Sequence, residues 1–208
     1  MPFIKLPRFA ALLALLLTVF SAFSIANDAA LSAQNSYQAF SALPAYYTPA
    51  LSPDGNRIAF EQNVSGDEAY SMLATYDIAE GKKYYLLRSD NESVKIKWYK
   101  WVNNDRLVVS ARYETRRGTT KVHDTRLLSV RFDGGDGGAF SLINWERIKR
   151  RAGNPPHVPQ FHDDVIDWLP DDPDHILISL DAEALGLPSV YKVNVNDGGT
   201  SRLIRGKK

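Results

Sequence analysis

The 208-residue sequence contains no cysteine. That absence removes thiol nucleophiles, cysteine-held zinc and disulfides from the available chemistry, and leaves any fold to be held by its core. Charge of one sign is also missing: 25 basic residues face 24 acidic ones, so neither nucleic acid nor another polyanion is implied as a partner. The four histidines, His123, His157, His162 and His175, are scattered, with no pair at ligand spacing on a helix. No serine lies between the glycines of a Gly-x-Ser-x-Gly nucleophile motif, which argues against a complete α/β-hydrolase. Beyond the first thirty residues there is no long apolar run and little helical periodicity.

The exception is the opening, "MPFIKLPRFAALLALLLTVFSAFSIANDAA". Lys5 and Arg8 precede an uncharged apolar run from Phe9 to about Phe23, and Ser24-Ile25-Ala26 places small residues where a signal peptidase reads. The run is shorter than the roughly 20 residues that span a bilayer. Residues 1–26 therefore read as a secretion signal, with a periplasmic or secreted product that has no membrane attachment after cleavage. The signal holds two of the basic residues and none of the acidic ones, so the remainder is net −1.

The rest of the chain is built on a repeat. "LSPDGNRIAF" from Leu51, "WVNNDRLVVS" from Trp101 and "WLPDDPDHILISL" from Trp168 each set a Pro/Asn/Asp turn before an apolar β-type run. After each comes a further strand ending near Asp or Asn, a glycine-containing turn and a last strand, as in "VYKVNVNDGGTSRLI". The pattern spells a four-stranded antiparallel meander written three times. Apolar residues at successive positions, as in Leu107-Val108-Val109 and Ile176-Leu177-Ile178, suit sheets covered on both faces. The expected fold is all-β, made of β-propeller blades at about 44–88, 94–143 and 161–205, after a leader segment at 27–43. A β-sandwich also strings short strands together, but it needs no threefold repetition of one turn chemistry.

"LSPDGNRIAF" resembles the blade motif of propellers in prolyl oligopeptidase-type serine peptidases and in periplasmic TolB-like proteins. "DVIDWLPDDPDHILISLD" with "VYKVNVNDGG" resembles the amino-terminal propeller of secreted bacterial members of that peptidase family, over about Tyr37 to Arg205. The resemblance implies a propeller that limits substrate access and docks an α/β-hydrolase domain, here without the remaining blades or the catalytic motif. The expected function is thus a non-catalytic, exported propeller fragment of such a peptidase. The alternative is a stand-alone periplasmic TolB-like propeller acting through protein contacts. No catalytic residue, cofactor or metal is assigned. The expected partners are the hydrolase domain, peptides or proteins at a propeller face, or further copies of the chain. Three blades leave outer faces open, around Phe60 and Ile178, which favours self-association.

Several groups invite chemistry and have simpler readings. His162 with Asp163 and Asp164 has the donors for a metal, and a loop entering a strand explains them equally. "DGGDGG", Asp133 to Gly138, is similar to a calcium-binding glycine repeat, but one copy lacks the stacked neighbour such a site requires; it reads as a hairpin loop. Asp171, Asp172 and Asp174 match Asp54 and Asn103 to Asp105 in the other repeats, so they read as turn closers. Arg147, Lys149, Arg150 and Arg151 form a basic cluster before Pro155 and Pro156, either a solvated loop or a contact with a partner domain. Trp98, Trp101 and Trp168 suit packing between blades better than the lining of a channel.

Overall fold

The computed structural model describes residues 44–64, 70–144, 146, 148 and 158–207. The expected signal, the leader, Arg147, Lys149, Arg150, Arg151, Pro155, Pro156 and His157 lie outside the described residues. The strands all belong to one unit, Ala45–Lys208.

Among the described residues, twelve strands form three separate four-stranded antiparallel sheets, each a meander in which only consecutive strands pair. The first sheet holds β1 (Tyr46–Leu51), β2 (Arg57–Val64), β3 (Tyr70–Asp77) and β4 (Lys82–Ser89). The second holds β5 (Val94–Trp101), β6 (Arg106–Arg117), β7 (Thr120–Arg131) and β8 (Phe140–Ser141). The third holds β9 (Val165–Asp167), β10 (His175–Leu180), β11 (Ser189–Asn194) and β12 (Thr200–Ile204). The fold is all-β and propeller-like, as the repeat implies.

The turns that announce each repeat hold themselves. In the first, Gly55 takes φ +73°, its N–H donates to the Ser52 carbonyl at 2.9 Å, and Asp54 accepts the Asn56 N–H at 3.1 Å. Asn103 plays the same part in the second, accepting the backbone N–H of Asp105 and Arg106 at 2.9 and 2.8 Å. "SPDG" and its counterpart in the second repeat therefore reverse the chain by bonding their own backbone, whereas in the third the Leu169 N–H donates to Asp167 at 2.9 Å and, against expectation, Asp172 and Asp174 bond Lys192, His175 and Asn196.

The middle sheet carries the packing. In β6, Leu107 and Val109 face the first sheet, packing with Ala59 and Leu73, while Val108 between them faces the third, packing with Ile176, Ile178 and Val193. Six consecutive residues, Arg106 to Ala111, are buried. Strand β10 alternates instead, with Ile176, Ile178 and Leu180 buried and His175, Leu177 and Ser179 half-exposed. This corrects the expectation at Ile178, which is sealed against the middle sheet. Phe60 does lie on the opposite side of β2 from buried Ala59 and remains half-exposed.

The two interfaces use the same hardware. Arg57, the first residue of β2, holds Asp77 of its own sheet at 3.1 Å and reaches the next sheet, where it donates to the Asn104 carbonyl at 2.9 Å and stacks on Phe132 at 3.8 Å. Arg106, the first residue of β6, donates to Asn196 of the third sheet at 2.7 Å. A hydroxyl backs each arginine: Thr75 donates to the Phe132 carbonyl, and Ser129 donates to the Val195 carbonyl at 2.6 Å. The turns touch in series as well, Asp54 N–H to Asn104 at 3.0 Å and Asn103 to the Pro173 carbonyl at 2.8 Å. Each sheet thus grips the next through polar groups at its turn end and apolar groups above them.

Candidate functional site

The strand order gives each sheet two ends. One carries the self-closed turns, and the other carries the β6–β7 tip and the 181–188 loop. Strands β6 and β7 run twelve residues each, and their distal halves, Tyr113–Arg117 and Thr120–Asp124, are largely exposed. The hairpin therefore projects past its neighbours. Beside it lies a groove of about 400 Å³ lined by Arg117, Phe161, Asp181, Leu185 and Pro188. Phe161 and Leu185 are both exposed there. An apolar floor ringed by Arg and Asp suits a protein or peptide surface better than an ion.

Two carboxylates lie where neighbouring sheets meet. Glu61 accepts the Tyr47 hydroxyl at 2.8 Å and the Thr48 hydroxyl at 3.3 Å. Thr48 in turn lies 3.1 Å from the Tyr99 hydroxyl on the next sheet, and Tyr99 also donates to the Thr48 carbonyl. Thr48 sits at φ +51°, a strained conformation for a β-branched residue that the surrounding bonds must hold. Burial pushes the Tyr99 hydroxyl up to about 12. Burial also raises Glu61, outweighing the hydrogen bonds from Tyr47 and Thr48.

The second carboxylate, Asp163, is bonded by Thr125 at 2.6 Å, Ser110 at 2.8 Å and Lys97 at 2.9 Å. Burial raises it, and these three donors outweigh burial and hold it below the usual carboxylate range. Next to it, His162 is buried and its backbone N–H donates to the Thr125 hydroxyl at 3.0 Å. Burial first, then the nearby Arg126, lowers its imidazole to about 4. The donors of Asp163 tie it to the middle sheet, and Asp164 is exposed, so His162, Asp163 and Asp164 are not gathered on one centre. Among the described residues no group of three or more His, Asp or Glu is placed to hold a metal.

The remaining candidates are dispersed. His123 is exposed on β7. His175 pairs with Asp172 at 2.8 Å, and its other ring nitrogen faces Asn194 at 3.3 Å. Asp172 falls to about 2 under hydrogen bonds from Lys192 and then His175. A hydrolytic dyad of this kind needs a hydroxyl where Asn194 stands. Asp174 accepts the Asn196 side-chain amide of the β11–β12 turn at 2.8 Å. In "DGGDGG", Asp136 pairs with Arg106 at 2.6 Å and Asp133 with Arg131 at 3.1 Å, which commits both carboxylates to arginine. Trp98 and Trp168 meet edge to face at 5.9 Å across the second and third sheets, and Trp101 is buried between the first and second. No sequence signal pointed to the Glu61 cluster, because Tyr47, Glu61 and Tyr99 come from three strands of two repeats.

A carboxyl raised by burial costs stability while ionised, and the cost disappears as pH falls through its folded pKa. Glu61→Gln resembles the protonated form, so it is expected to raise Tm at pH 7.5, with the difference from the parent closing toward about pH 4, the ordinary glutamate range. Paired thermal melts across that range check it.

No protein-family model matches the chain, and no curated protein matches it.

Proposed function

We propose that this chain is the non-catalytic β-propeller region of an exported prolyl oligopeptidase-type serine peptidase, limiting substrate access to an α/β-hydrolase domain and docking it. One observation carries the reading: a four-stranded meander repeated three times with the same turn chemistry, in a chain whose "DVIDWLPDDPDHILISLD" resembles that family's propeller. The loop end suits the docking role. It carries the projecting β6–β7 hairpin and the groove at Phe161 and Leu185; the sequence between β8 and β9 adds the basic residues Arg147, Lys149, Arg150 and Arg151. The first strands, with Tyr47 and Tyr99, would border the passage that selects substrates.

The purified chain is expected to leave chromogenic peptide and ester substrates uncleaved, since acyl transfer needs an activated nucleophile and an oxyanion hole. Turnover that survives purification and is blocked by a serine-directed inhibitor would overturn the reading. An in-frame Gly-x-Ser-x-Gly downstream of the Lys208 codon would support it.

A further inference from the structure

We infer that two copies of this chain associate head to tail, the third sheet of one gripping the first sheet of the other, twice, to close a ring of six sheets. The inference concerns the 208-residue chain and is separate from the peptidase reading, under which further blades of a longer chain would take the same two faces.

The registers make the three sheets superimposable position by position. Arg57 pairs with Asp77, Arg106 with Arg131 and His175 with Asn194, so Arg57, Arg106 and His175 are equivalent. Thr75, Ser129 and Lys192 are equivalent in the same way, opposite Ala59, Val108 and Leu177. Within the chain the first two members of each set grip the following sheet: Arg57 and Thr75 reach Asn104 and Phe132, and Arg106 and Ser129 reach Asn196 and Val195. The third members, His175 and Lys192, sit on a half-exposed face with Leu177 and Val190. Both are held within their own sheet by Asp172, at 2.8 and 2.7 Å, as Arg57 is held by Asp77.

The receiving side is bare in the matching places. Phe132 and Val195, which accept the grip, are 8% and 0% exposed, while their equivalent on the first sheet, Ile78, is 49% exposed. Trp101, opposite Leu107, is 6% exposed, whereas its equivalent Leu51, opposite Ile58, is 62% exposed. Phe60, Tyr46 and Tyr85 complete this aromatic face, with the Lys83 amino group among their rings. The face that grips and the face that receives thus differ and complement each other, so the contact is heterologous. Two copies supply six sheets, within the four to eight that close a propeller, and three copies would supply nine.

The test uses two variants that each break one face, Phe60→Glu on the receiving side and Leu177→Glu on the gripping side. At about 50 µM, above the micromolar Kd that an interface of about 1,600 Å² commonly reaches, light scattering coupled to size exclusion is expected to give the mass of two chains for the parent. Each variant alone is expected to give one chain. Mixing the variants in equal amounts joins the intact gripping face of one to the intact receiving face of the other, and returns the two-chain mass. A single-chain parent overturns the inference, and so does a two-chain species that survives either substitution. A mixture that stays single-chain overturns it as well, and far-UV circular-dichroism spectra of the variants that match the parent's show that this is not loss of fold.

Discussion

Trp101→Ala is expected to be among the most damaging single substitutions in the chain, lowering stability by about 3–5 kcal/mol. The indole is buried where the first and second sheets meet, packing with Ile96, Leu107 and Phe132, and its N–H donates to the Ala50 carbonyl at 3.0 Å. Removing it leaves a cavity at a junction that no disulfide reinforces, and takes away the donor to Ala50. Trp101→Phe separates the two effects: most of the apolar volume stays and the donor goes, for a loss of about 1–3 kcal/mol. At roughly 2–4 °C per kcal/mol for a chain of this size, alanine is expected to lower Tm by about 10 °C and phenylalanine by a fraction of that. Equal losses for the two substitutions would show that the hydrogen bond, and not the packing, holds the sheets together.

His162 is expected to make the fold acid-sensitive. Its imidazole is lowered to about 4 in the folded chain, against about 6.5 in an unfolded one. The unfolded state therefore binds the proton first, and stability falls as pH drops from about 6.5 to about 4 and then levels off for this group. At about 1.36 kcal/mol per pH unit the full effect is about 3 kcal/mol. Asp163 acts in the same direction at lower pH, because its folded carboxyl is depressed and its contribution is lost on protonation. Urea unfolding at pH 7, 5.5 and 4.5 measures the slope, and His162→Gln is expected to flatten it between pH 6.5 and 4. A parent whose midpoint does not move across that interval would show that His162 stays solvated.

Turns and strands were legible in the sequence because they depend on neighbours a few residues apart. Pro53-Asp54-Gly55-Asn56 closes on itself, and Leu107-Val108-Val109 is apolar at every position because β6 is covered on both sides. The same logic misled at "HILISL". Ile176, Leu177 and Ile178 are all apolar, so the sequence does not say which of them faces the middle sheet, and Ile178 is buried while Leu177 lies on the outer side. The length of the β6–β7 hairpin was hidden as well, since "YETRR" and "TKVHD" extend beyond the core and carry no apolar alternation. Of the candidate site, the polar core was the least visible. Ser110, Thr125 and Ser129 are buried because they bond to groups from elsewhere in the fold, namely Asp163 and the Val195 carbonyl, and nothing local distinguishes them from surface hydroxyls.

Pairing only between consecutive strands has a consequence in time. A chain that emerges amino-terminus first completes each meander before the next exists, so every sheet folds with its gripping face still bare. Ala59 and Leu73 wait for Leu107 and Val130, and Val108 waits in turn for Ile176 and Val193. Each finished meander is then the nucleus on which the following one condenses, and the interval between them is when the nascent chain is most exposed to capture by a chaperone or a stray strand.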